Sequence, residues 1–68
     1  METTYKIIIS KDGEIKKTFE NQEGDAAAFG YMLRAQGQSI HHALKFEGWK
    51  VEQINEQTKE SEFWKPYF

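Results

Sequence analysis

The sequence, 68 residues long, contains no cysteine and a single proline. Without cysteine there are no disulfides and no thiolate metal sites. The two histidines, His41 and His42, are consecutive, and neighbours on a helix point about 100° apart, so they cannot grip one metal ion together. No metal and no cofactor is expected. There is also no excess of charge of either sign: nine bases face eleven acids, for a net charge of −2. A pI near 5.6 argues against a strongly basic nucleic-acid binder, for which a pI above about 9 is usual. No stretch approaches the roughly 20 apolar residues needed to cross a bilayer. Met1-Glu2-Thr3-Thr4 lacks the basic and apolar segments of a signal peptide. No membrane partner and a cytoplasmic location are expected. Glycine-rich phosphate loops of the GxGxxG or GxxxxGK[ST] type do not occur.

What is present is aromatic: two Trp, three Tyr and five Phe. A ring buries roughly 150–250 Å², so a few of them can anchor a small domain. The length allows one domain over 1–68. A chain this short buries only about 60% of its unfolded surface, which favours help from a good core, a partner subunit, or both.

Residues 3–10, rich in β-branched and aromatic types, predict a strand, and 14–20 its return. A three-residue loop, Lys11-Asp12-Gly13, pairs Ile9 with Ile15 and Tyr5 with Phe19, which gathers the apolar side chains on one face. Asp25 is a suitable N-cap for a helical region over 25–47. In one continuous helix, Phe29, Leu33, Ile40 and Leu44 would share a stripe. Its length of about 34 Å against roughly 23 Å for seven-residue strands favours two helices, or one sharply bent near Gly37. Residues 49–55 and 61–65 predict a second hairpin closed across 56–60, with Pro66 ending the last strand. The fold class is α+β: a two-layer ββ-α(α)-ββ arrangement, an antiparallel sheet of two hairpins covered on one face by one bent helix or two short ones.

Under this register Tyr5, Ile7, Ile9, Ile15, Phe19, Trp49, Val51 and Phe63 face the helices, leaving Ile8, Ile54 and Trp64 on the outer face. With Tyr67 and Phe68 close in sequence, these five form the candidate partner-binding patch. The expected function is a non-enzymatic protein-interaction module, homodimeric or docking on a larger protein. A chain of this size has no deep cleft, and no catalytic residue or small-molecule substrate is inferred. The competing reading is a small DNA-binding regulator with a degenerate helix-turn-helix over 29–46, in which Ser39, His41, His42 and Lys45 enter the major groove. Arginine, the commonest reader of guanine, is missing from that helix, so nucleic acid is the weaker expectation.

Overall fold

The computed structural model describes residues 3–36 and 40–65. It holds β1 (Tyr5–Lys11), β2 (Glu14–Gln22), α1 (Ala26–Gln36), α2 (Ile40–Phe46), β3 (Trp49–Asn55) and β4 (Ser61–Phe63). The strands form one sheet in the order β2-β1-β3-β4, antiparallel throughout. This is the expected α+β class, with two helices on the sheet rather than one continuous rod. α1 crosses the strands: Phe29 meets Trp64 just beyond β4, and Tyr31 meets Phe19 on β2.

The first turn differs from the expected one. Lys11 pairs with Glu14, so the loop is only Asp12-Gly13, with φ of 52° and 85°. Two positive φ angles make a type I′ turn, whose twist matches that of the flanking strands. An uninterrupted ladder from this turn would send both Ile15 and Phe19 to the outer face. β2 avoids half of that outcome with an extra residue: Ser10 pairs with Ile15 but Ile9 with Lys17, so Lys16 is bulged out and the parity flips. Phe19 thereby pairs with Ile7 and reaches the helix side, where it packs against the core. Ile15, upstream of the bulge, stays opposite Ser10 and is 63% exposed. Its expected place in the core is corrected. A second shift, between Ile7 and Tyr5, falls beside Asn21 at φ 56°, a conformation that asparagine tolerates better than most residues.

The second hairpin corrects two more positions. The Asn55 amide donates to the Glu60 carbonyl at 2.7 Å and the Lys59 amide to the Asn55 carbonyl at 2.7 Å. The Asn55 side chain accepts from the Gln57 and Thr58 amides at 2.9 and 3.0 Å, an Asx turn that shapes the loop. The loop is therefore 56–59, an even number of residues, and residues of opposite parity share a face across it. Glu52 pairs with Phe63, and the Trp64 amide donates to Val51 at 2.9 Å. Phe63 stands on the outer face and Trp64 on the helix side, the reverse of the expectation. The loop is also clasped to the start of β1. The Thr4 amide donates to Gln57 Oε1, and Gln57 Nε2 donates to Thr4 Oγ1, both at 2.9 Å.

The core is Ile7 and Ile9 from β1, Trp49 and Val51 from β3, Ala28 and Met32 from α1, and Ile40 and Ala43 from α2. Both central strands thus supply large side chains, and each helix brings alanine as well as one larger residue. The small residues let the helix axes lie close to the sheet while the isoleucines and Met32 fill the gap.

Candidate interaction surface

α1 has almost no polar side chain. Within Ala26–Gln36 only Arg34 and Gln36 are polar, apart from the Tyr31 hydroxyl. A helix lying on a sheet needs one apolar stripe, and here Ala28 and Met32 provide it. Ala26, Phe29, Gly30 and Leu33, at i, i+3, i+4 and i+7, fall on the other side. Phe29 is 40% exposed and Leu33 54%, and nothing lies within 4 Å of where a Gly30 side chain would begin. A glycine inside a helix costs roughly 1 kcal/mol relative to alanine, and no contact within the chain calls for one here.

Two open grooves flank this ridge. The one on the Phe29 side, about 630 Å³, is lined by Asp25, Phe29, Gln53, Glu62, Trp64 and Lys65 among others. The one on the Gly30 side, about 500 Å³, is lined by Lys17, Phe19, Ala27, Gly30, Tyr31 and Arg34. The first carries two carboxylates and one ammonium, the second two cations and no acid. The ridge thus separates an acidic flank from a basic one.

The residues expected to bind a partner are not brought together. Ile8 and Ile54 do stand on the outer face, half-buried, with Ile8 opposite Glu52 and Ile54 opposite Lys6 across the ladder. The outer face is laced with charge, including Lys6 and Glu20 at 3.9 Å, an exposed pair of little energetic weight. Trp64 is separated from them by the sheet. Its ring lies 4.8 Å from that of Phe29, its Nε1 donates to Gln53 Oε1 at 3.2 Å, and it packs against the core. Tyr67 and Phe68 lie outside the described residues. Trp64→Ala is accordingly expected to destabilise the fold by about 1.5 kcal/mol, as a partly buried ring with a hydrogen bond is lost. Urea unfolding checks this; an unchanged midpoint would return the ring to a surface role.

The alternative set fares as follows. Residues 37–39, and Ser39 with them, lie outside the described residues. α2 buries Ile40 and Ala43 against the sheet and leaves His42, Lys45 and Phe46 exposed, with His41 half-buried. His42 Nδ1 is 3.7 Å from Glu47 Oε1, and Lys45 Nζ is 5.5 Å from the Phe46 ring centre. The exposed side of α2 is therefore partly aromatic, with one lysine, and Glu47 follows directly after the helix.

The stripe expected of Phe29 and Leu33 is left exposed in the structure. Two i, i+4 pairs compete on α1, Ala28/Met32 and Phe29/Leu33, and the smaller pair is the buried one. The available signal was the shortage of polar residues around the whole circumference of α1, which leaves no side suited to water. Among the described residues no group of three or more His, Asp or Glu side chains could hold a metal ion, and no helix is long and apolar enough to cross a membrane. No protein-family model, curated protein or solved structure matches the chain.

Proposed function

We propose that this protein is a cytoplasmic protein-interaction module without a catalytic step of its own, and that it binds through the outward face of α1 rather than through the outer face of the sheet. The observation that carries this reading is the apolar ridge of Phe29 and Leu33, exposed on a helix that has no polar side. An apolar surface of this kind on a small domain is stabilised by being covered. The cytoplasmic setting fits a chain that uses no disulfide.

A photo-crosslinking residue placed at Leu33, and as a control at Lys50 on the outer face of the sheet, tests the reading in the native cell. A discrete adduct is expected from position 33 only, and it should fade when Phe29→Ser is added. Absence of an adduct at 33, or equal yields at both positions, would count against it. Fluorescence anisotropy with duplex DNA at low salt, where phosphate contacts are strongest, is expected to show no binding. Tight, salt-sensitive binding lost in His42→Ala, Lys45→Ala would favour the regulator instead.

A further inference from the structure

We infer that the occupant of the α1 ridge is a second copy of this chain, packed with the two α1 helices parallel about a twofold axis that runs along them. The inference rests on the interaction reading above and names its partner and geometry. A twofold interface must be complementary to itself: one patch has to carry both the projections and the hollows, and both signs of charge. The α1 ridge has each of these. Ala26 and Leu33 are one heptad apart, with Phe29 between them, the spacing at which parallel helices keep a seam in register. About such an axis Leu33 meets its own copy, Ala26 meets its own copy, and Phe29 of each protomer lies over the open surface at Gly30 of the other. That arrangement gives the helix-interior glycine the close neighbour it lacks within one chain.

Charge selects the direction. A ridge alone is too small, since a stable dimer buries about 800 Å² per partner and an 11-residue helix is only about 16 Å long. The flanking grooves have to be included. With the helices parallel, the flank bearing Asp25, Glu62 and Lys65, acidic on balance, faces the flank bearing Lys17 and Arg34 on both sides of the axis. With the helices antiparallel, each flank faces itself, and the two cations of the basic groove meet their own copies. The parallel arrangement sets an acidic flank against a basic one twice, whereas the antiparallel one sets the two basic flanks against each other.

The absence of native cysteine makes the test clean. Wild-type protein is expected to sediment as a dimer at high micromolar concentration. Leu33→Glu, which sets two carboxylates against each other on the axis, is expected to raise the dissociation constant roughly 100-fold with an unchanged circular dichroism spectrum. Leu33→Cys should oxidise to a disulfide-linked dimer far faster than Lys50→Cys on the outer face, because only residues near the axis meet their own copies. A monomeric wild type, or Leu33→Cys that links no faster than Lys50→Cys, overturns the inference. A preference for the mixed disulfide between Ala26→Cys and Leu33→Cys proteins overturns it too, because that pairing requires antiparallel helices. The failures separate cleanly. A monomer that still gives the photo-adduct at position 33 keeps the interaction reading and loses the second copy, whereas a monomer without the adduct loses both.

Discussion

Met32→Ala is expected to cost about 3 kcal/mol, while Leu33→Ala, one residue further along the same helix, changes the stability of the monomer by less than about 0.5 kcal/mol. Met32 is completely buried, and Leu33 is more than half exposed. Among the described side chains of α1, Met32 is also the only large one placed fully in the core. Its truncation leaves a cavity in the cluster that it forms with Ile7, Ile9 and Val51 among others. A domain of this length has a total stability of roughly 3–10 kcal/mol, so the first variant should sit near the edge of unfolding. Urea titration in protein dilute enough to be monomeric measures both. Equal losses for the two variants would mean that the helix is rotated about its axis.

Gly48→Ala should lower stability by about 2 kcal/mol, a fall in melting temperature of roughly 8–16 °C for a domain of this size. Two causes add. Gly48 has φ of 77°, where a side chain costs about 1 kcal/mol, and a β-carbon there would run into the Asp12 carboxylate. The contact is part of a junction between turns, since the Asp12 amide donates to the Gly48 carbonyl at 3.1 Å. The double-mutant cycle with Asp12→Gly divides the loss. In that background about half the cost is expected to remain, as the backbone share. A full loss in both backgrounds would assign everything to φ, and no loss in either would show that the chain there is free to relax.

The fold was legible where the sequence speaks locally. Residues 5–9 include three consecutive isoleucines, Asp12-Gly13 marks a turn, and 25–47 reads as helical, so the class could be read directly while one bent helix or two stayed open. Faces were harder, because they depend on single-residue events with no compositional signature. Nothing in Glu14-Ile15-Lys16-Lys17 says which residue will be the bulged one, yet that choice decides that Phe19 is inside and Ile15 outside. The parity of the second hairpin turns on Asn55, whose side chain shapes a loop one residue shorter than expected and exchanges the places of Phe63 and Trp64. The candidate surface was missed for a different reason. Ala28/Met32 and Phe29/Leu33 share the same i, i+4 spacing, so periodicity alone does not say which pair of α1 turns inward.

The position of β3 in the sheet also governs how the chain must be made. β1 lies between β2, its neighbour in sequence, and β3, which pairs with it from Tyr5↔Asn55 to Lys11↔Trp49. The first hairpin ends at Gln22, and the strand that closes its inner edge begins only at Trp49. Until that strand pairs, Ile7 and Ile9 have no core, and the edge of β1 is bare. Such a gap makes the first hairpin depend on the second half of the chain for its burial. It also places the slow step of folding at the late closure of the β1–β3 ladder, which joins the most distant parts of the chain.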